Sequence, residues 1–536
     1  LRLLAEKDAA LKSATAIFAL FMLKSSFGEF FFPNGDFEIQ GDAEISYKII
    51  EDNNGFSKIE GFSNLESLNL ESIMLYKSTR GQSPEVSFSE VLLGGLAPDG
   101  GLYMPTNVPK FSIQEINSFK DLQFHELATE ILFPFVEGDI EKSDFSRLVE
   151  ETYKVFEVDD VVELIELENN RQVLELFHGP TLAFKDVAMQ LLGSLLNHFA
   201  KEQGKKIAVL GATSGDTGAA AISACSRHAN VDVFILYPHN KVTDIQRRQM
   251  TTTGSTNVYP LAIQSDFDGC QSIVKEIFLD KDFRIDSTKF IAANSINWAR
   301  CMTQSVYFFW AYLKLRHLEQ DLIFSVPSGN FGHAYAGWTA KEMGLPIKKL
   351  MIATNSNDVL HKLFSENHYE KSSVDQTLAP SMDISVASNF ERLLYNLYDD
   401  DSEALFSIMS NFPDKPISIP KEKWDSVVKF FSSKSSSDEE IKEQIRETYE
   451  ESNYLLDPHT ATGVRASNVL ASKDDLVVSM ATAHPSKFGE AIDGAIPGHD
   501  LNIPERLNNV FDQEESYEVI SEEYEDVKQF ILSKVN

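Results

Sequence analysis

Between residue 170 and residue 354 short apolar runs alternate with stretches in which apolar positions recur every three or four residues. Runs of four to eight apolar residues bounded by turn formers fit strands buried on both faces. They predict strands near 207, at Val231 to Tyr237, at Val258 to Ile263, at 289 to 293, at 322 to 326 and at 349 to 354. The intervening stretches predict helices near 217, near 243 to 252, from Gly269 to Phe278, from 297 to 316 and from 331 to 343. Such alternation over short joints implies right-handed crossovers and a mainly parallel sheet covered on both faces, hence an α/β fold. Ligands of such sheets bind beyond the carboxyl ends of the strands. Upstream, helical periodicity is expected around 113 to 135 and 140 to 156.

Other stretches break the pattern. Residues 33 to 73 carry Asn34-Gly35, Asn53-Asn-Gly55 and many acids, and read as turns or a flexible arm. The run Ala14 to Leu23 is too short to span a bilayer and reads as an amphipathic helix or a targeting remnant. The serine-rich segment 432 to 440 is expected as an exposed loop, as is Asp399-Asp-Asp-Ser-Glu403, and the acidic stretch from Gln513 to Asp526 as solvated surface.

Candidate chemistry sits at three turns. The run Leu174-Glu-Leu-Phe-His-Gly-Pro-Thr-Leu-Ala-Phe-Lys-Asp186 reads as a strand edge, a Gly-Pro break, and a helix that Thr181 is placed to cap and that carries Leu182, Leu192, Leu195, Leu196 and Phe199. Lys185 then lies in the first helical turn, where the positive end of the helix dipole disfavours its ammonium form. On its own such a lysine is far more often a surface residue on an amphipathic helix. The turn Gly211-Ala-Thr-Ser-Gly-Asp-Thr-Gly218 follows an apolar strand and opens a helix, so its backbone amides can crowd an anion. It has neither the GxGxxG spacing of dinucleotide binders nor the GKS ending of a P-loop. A second such turn, Pro327-Ser-Gly-Asn-Phe-Gly332, repeats the arrangement. Two anion cradles and a helix-start lysine suit a phosphorylated cofactor beside an anionic substrate.

Together with Ala293-Asn-Ser-Ile-Asn-Trp-Ala-Arg300, Leu378-Ala-Pro-Ser-Met-Asp-Ile-Ser-Val-Ala-Ser-Asn-Phe-Glu-Arg392 and Ala481-Thr-Ala-His-Pro-Ser-Lys-Phe488, these segments resemble, in order, the motifs of the threonine synthase family. The resemblance runs from about Met74 to about Leu507. It implies a two-lobed pyridoxal-phosphate fold of the tryptophan-synthase-β-like kind with mainly parallel sheets, preceded by a small N-terminal domain. The implied organisation is an extension at 1–73 without family counterpart, the small domain at 74–165, the catalytic domain at 166–510 and an acidic tail at 511–536.

The resemblance also implies roles. Lys185 would form the internal Schiff base with pyridoxal 5'-phosphate and then shuttle protons. Gly329, Asn330, Phe331 and Gly332 would hold the cofactor phosphate, and Thr482 would face the pyridine nitrogen. Thr213, Ser214, Gly215, Asp216 and Thr217 match the loop for the substrate α-carboxylate. Asp216 is the awkward member, so it is expected to meet the substrate ammonium or a backbone donor, or else to serve as a plain helix cap. Arg300, Ser78, Thr79, Arg80 and Lys241 are candidates for the substrate phosphate, although each could equally make a structural ion pair, Lys241 most of all. His178 and His484 read as cofactor-ring neighbours or satisfied structural histidines, and His333 as packing at a helix start. The implied reaction is conversion of O-phospho-L-homoserine and water to L-threonine and phosphate. A phospholyase releasing 2-oxobutanoate would share these motifs, and a non-catalytic binding protein could retain the fold.

Composition trims the alternatives. The 536-residue chain is long enough for two or three lobes, and 43% hydrophobic with 24% charged residues is ordinary for a globular protein. A formal net charge of −33 argues against nucleic acid or an anionic membrane as partner and requires local cations for any anionic substrate. The three cysteines, Cys225, Cys270 and Cys301, show no paired spacing, so they predict neither disulfides nor a metal site and fit small core residues in a reducing compartment. A cytoplasmic monomer or homodimer is expected, with organelle targeting by residues 1–73 left open.

Overall fold

In the computed structural model the described residues are 48–51, 57–60 and 73–535, apart from Asn169, Lys281 and Arg284. The chain divides into two compact units, 1–73 and 74–536. The run Ala14 to Leu23 lies outside the described residues. In the first unit Lys48–Glu51 and Ser57–Glu60 form an antiparallel pair with Ile49 opposite Ile59, where turns or a flexible arm were expected.

The second unit opens with the antiparallel strands Tyr76–Ser78 and Tyr103–Pro105. Helix Phe88–Gly94, which was not expected, is followed by Ile113–Ser118, Phe124–Val136 and Lys142–Tyr153 within the stretches 113 to 135 and 140 to 156 where helices were expected. The first two start with capping boxes, Ser87 with Glu90 and Ser112 with Glu115, which satisfy helix-start amides and fix where each helix begins.

Two sheets carry the rest. One has the all-parallel order Thr288–Ala292, Lys206–Ala212, Val231–Pro238, Val258–Ile263, Glu518–Ile520. The other runs Phe431–Ser435, Ile347–Thr354, Leu322–Pro327, Leu476–Ala481, Arg171–Glu175, Glu163–Glu166 and is parallel except at its last pair. Central strands such as Leu322–Pro327 and Leu476–Ala481 are buried at every position, as their mainly apolar sequences require, with Ser325 and Ser479 buried among them. Between the sheets' covering layers the helices Lys185–Gln203 and Trp298–Leu315 form the core, the latter burying Trp298, Tyr307, Phe308 and Phe309. The aromatic run Tyr307 to Trp310 is therefore packing. Among the described residues no helix is long and apolar enough to cross a membrane.

Two polar stretches fold more than their composition predicts. Residues 431–435 form an edge strand with Phe431 opposite Leu350, and Ser437 caps the helix Asp438–Ser452, so the expected exposed loop is a strand followed by a helix start. Burial of Phe431 holds the strand, and its serines sit at the sheet margin. The acidic stretch 513–526 keeps most carboxylates outward, yet Glu518–Ile520 extends the first sheet and the helix Tyr524–Val535 buries Val527 and Ile531 against it. Asp401 in the acidic turn caps the helix Ser402–Asn411.

The motif segments meet because of sheet polarity. The strands ending at Glu175, Ala212, Ala292, Pro327 and Ala481 lead directly into the lysine segment, the 213–218 turn, the 293–300 segment, the 328–332 turn and the 482–488 segment. All five are carboxyl ends of strands in the two parallel arrays.

Candidate active site

Lys185 is placed by stitching between two strand ends. The Leu176 amide donates to the Ala481 carbonyl (3.0 Å), the Phe184 amide to the Thr482 carbonyl (2.8 Å), and the His484 amide to the Leu182 carbonyl (3.1 Å). The helix starts at Lys185 itself with no side-chain cap, and Leu182 lies before it in the left-handed region at φ 57°. Thr181 is thus not the cap that the sequence suggests. Its amide (2.7 Å) and hydroxyl (2.8 Å) both donate to Asp186, which reaches back from the first turn to hold the Gly179-Pro180-Thr181 bend. The bend needs glycine, because a Cβ on Gly179 would lie 2.4 Å from that of Asp186. Burial pushes the Asp186 carboxyl up to about 6 even with the Thr181 bonds opposing it.

The Lys185 amine points at Ser381, Nζ to Oγ 3.4 Å, and lies 5.0 Å from the centre of the Phe184 ring. Burial lowers it to about 8, with Lys487 and Arg300 adding to the effect and Asp216 opposing it. The direction matches the helix-start argument; the first cause is desolvation. A lysine that loses its proton near neutrality is suited to act as a nucleophile and a base.

The 328–332 turn is shaped for close approach. Phe331 adopts φ 65°, and Gly332 opens the helix Gly332–Glu342. A Cβ on Gly329 would come within 3.1 Å of the Ser381 carbonyl oxygen and 3.2 Å of the Met382 Cα, so nothing but backbone fits between this turn and the 378–392 segment. The Asn330 carbonyl is held by the Asn389 amide (3.0 Å). Such a glycine turn at a helix start suits a phosphate bound by amides. His333, the next residue, is buried, stacks on Phe184 at 4.9 Å, and is pushed down to about 3 by burial and by Lys185, so it packs as a neutral ring.

Thr482 directly follows the central strand Leu476–Ala481. Its amide donates to the Thr460 hydroxyl (3.1 Å), while its own hydroxyl is buried without a hydrogen-bond partner among the described residues. An orphaned buried hydroxyl costs roughly 1–3 kcal/mol, and a ring nitrogen presented to it would remove that cost. Arg300 is 3% exposed, and its Nε and one terminal nitrogen also lack partners among the described residues. Burial lowers it to about 10. An uncompensated buried guanidinium needs an anion. The cradle, the orphaned hydroxyl and the buried amine therefore fit pyridoxal phosphate, and Arg300 leaves a place for a second anion.

The 213–218 turn is built around Thr213, whose hydroxyl accepts from the amides of Gly215 (3.0 Å) and Gly218 (2.9 Å). Ser214 is exposed at its tip and Thr217 is partly exposed. Asp216 corrects the sequence reading. It is the first residue of the helix Asp216–Cys225, whose cap position is Gly215, and its carboxylate is taken by Lys487 (2.7 Å) and by Gln246 Nε2 (3.0 Å). Burial would raise it, but Lys487 and Lys185 outweigh burial and hold it far below the ordinary carboxylate range. Among the described residues it is thus neither the helix cap nor bonded to a backbone donor.

Among the remaining candidates, Ser78 donates to Asp99 (2.7 Å), Thr79 donates to Glu391 (2.7 Å), and Arg80 grips the same Glu391 through Nε (3.1 Å) and a terminal nitrogen (3.0 Å). The three are spent on internal carboxylates here, whereas Arg300 is not. Lys241 lies exposed in the turn before the helix Asp244–Thr251. His178 bonds Glu175 (2.9 Å), and His484 bonds Ser486 (2.7 Å) and packs edge-on to Phe177. Sequence reasoning missed Ser381 and Lys487, which stand inside quoted motifs without a role, and Asp457-Pro-His-Thr460, an Asp-Pro helix-start signal that was available.

A family model described as "Threonine synthase N terminus" matches residues 75–153, one described as "Pyridoxal-phosphate dependent enzyme" matches 172–410, and one described as "Threonine synthase, C-terminal" matches 460–531. A threonine synthase from Pseudomonas aeruginosa is 48% identical over 465 residues, spanning 86% of this chain and 99% of that protein. The chain belongs to the threonine synthase family. A yeast threonine synthase is 41% identical over 461 residues, 79% of this chain and 89% of its own. The crystal structure of a PLP-bound threonine synthase from Brucella melitensis superposes with a TM-score of 0.83 at 42% identity, covering 86% of this chain and all of that one. The expected tryptophan-synthase-β-like fold with its small N-terminal domain is confirmed, and this member of the family is a pyridoxal-phosphate-dependent lyase.

Proposed function

We propose that this threonine synthase family member takes O-phospho-L-homoserine as its substrate, adds water and releases L-threonine and phosphate. The observation that carries the substrate choice is Arg300, a buried guanidinium with free donors beside the Lys185 amine. Pyridoxal phosphate, when bound, supplies an electron sink for carbanions next to the substrate nitrogen. Residues 329 to 332 would hold its phosphate, Thr482 its ring nitrogen, and Lys185 its aldehyde carbon.

The chain's own groups do the rest. Lys185, whose amine is about half neutral near pH 8, takes the proton from the substrate α carbon and moves protons at the β carbon. Arg300 would hold the γ phosphate in place and stabilise it as it leaves, because a guanidinium offers paired donors to phosphate oxygens. The amides of the 213–218 turn would orient the α-carboxylate. A neutral hydroxyl at Thr482, unlike a carboxylate, does not force a ring nitrogen to stay protonated, which supports elimination and replacement over transamination. Three free, buried cysteines support a reducing, cytoplasmic setting.

Supplying purified, cofactor-loaded protein with O-phospho-L-homoserine should yield threonine and phosphate in equal amounts; 2-oxobutanoate in place of threonine would establish the phospholyase instead. Arg300→Gln should raise KM for the phosphorylated substrate by roughly 10- to 100-fold, the equivalent of one or two lost charge-assisted bonds. Its cofactor absorption band should persist. An unchanged KM would remove Arg300 from the phosphate.

A further inference from the structure

Asp457 lies at the start of the helix Pro458–Leu470 and is 1% exposed. As a helix cap it needs only to accept backbone amides, and it does so from His459 (2.9 Å) and Thr460 (3.3 Å). It also takes two side-chain bonds that capping does not require. One comes from the His459 ring, Nδ1 to Oδ1 2.9 Å, and the other from the Thr460 hydroxyl.

These bonds set the direction of the next ones. A carboxylate only accepts, so the His459 proton sits on Nδ1 and leaves Nε2 as the acceptor. That nitrogen receives the Ser381 amide at 3.1 Å. The Thr460 hydroxyl, having donated to Asp457, offers its lone pair to the Thr482 amide at 3.1 Å. Ser381 in turn faces Lys185 with its hydroxyl and backs Gly329 with its carbonyl, while Thr482 presents the orphaned hydroxyl. His459, Thr460 and Thr482 are all at most 5% exposed, so water does not compete for these bonds.

We infer that Asp457 is a positioning residue that sets two walls of the active site at once, Thr482 through Thr460 and Ser381 through His459. Orientation of this kind, one carboxylate fixing the donors that fix the contacting groups, is the common means of holding a reactive constellation to within tenths of an ångström. The inference rests on the proposed pyridoxal-phosphate chemistry at Lys185 and adds residues to it.

The test uses the cofactor-loaded protein and reads its absorption spectrum and cofactor dissociation constant. Thr460→Val removes one hydroxyl at nearly constant size. It should weaken cofactor binding by about tenfold, the worth of one misplaced buried bond, and shift the absorption maximum in the same direction as Thr482→Val. The double variant should be no worse than Thr482→Val alone, because both act through one contact. Asp457→Asn, which keeps one acceptor for the helix start but cannot accept from both side chains, should give the same spectral shift when measured below its own melting temperature. A wild-type spectrum and affinity in both variants would overturn the inference while leaving the chemistry at Lys185 intact. Wild-type protein that shows no cofactor band would overturn both.

Discussion

Lys185→Ala is expected to lower threonine formation by at least about 10⁴-fold, the upper range for loss of a positioned proton-transfer group. It should also remove the covalent attachment of the cofactor. Among the described residues the amine alone combines a lowered pKa, contact with the 378–392 segment through Ser381, and attachment to a helix start stitched to Thr482. Lys185→Arg should be equally inactive, since a guanidinium keeps its proton and cannot serve as nucleophile. The direction of the pKa gives a second reading. Below about 8 the amine is increasingly protonated, so the rate at which cofactor-free protein captures pyridoxal phosphate should rise with pH through about 8. Borohydride reduction followed by peptide mass analysis reports attachment, and product assay reports the reaction. A reducible adduct on another lysine in the wild-type protein, or more than about 1% residual activity in the alanine variant, would remove Lys185 from the role.

Much of this was legible because the signals are local. The 207, 231, 258 and 322 strands announce themselves as predominantly apolar runs, and glycine turns that leave strands and open helices can be read without coordinates. The candidate site residues Lys185, Thr482 and the 329–332 turn were legible through motif resemblance, which spacing alone could not have supplied. The missing part is long-range. Nothing near Thr181 shows that Asp186 will claim its donors, because the competing cap reading uses the same letters. Glu391 takes Thr79 and Arg80 from a distant segment, a pairing with no sequence period. The serine-rich edge strand was misread because local composition outweighed a single anchoring Phe431. Burial, the first cause of the Lys185 shift, is likewise a property of the assembled fold.

The same long-range blindness hid Lys487, whose replacement should have the largest effect on folding. Its side chain is fully buried, and its Nζ bridges Asp216 (2.7 Å) and the Thr181 carbonyl (2.8 Å), tying the 213–218 turn to the lysine segment. Lys487→Met leaves a buried carboxylate with Gln246 alone and should cost about 3–5 kcal/mol of stability. The pH dependence follows from Asp216. Its folded pKa is depressed, so the pair's stabilisation is present above the ordinary aspartate value of about 3.9 and is lost as pH falls through the folded value. Without Lys487 burial is opposed by Lys185 with less help, so Asp216 rises and the acid unfolding midpoint should move to higher pH. The amine responds in the same sense, because removing a neighbouring cation while keeping Asp216 raises Lys185 above about 8 and shifts cofactor capture upward in pH. Asp216→Asn with Lys487→Met removes both charges, and their opposite influences on Lys185 then cancel. The double variant should therefore recover stability relative to the single one and return the capture profile toward wild type. Thermal melts across pH and capture rates measured on the three proteins decide it: a Lys487→Met protein with wild-type melting and an unmoved capture profile would mean that the buried pair neither braces the turn nor tunes the amine.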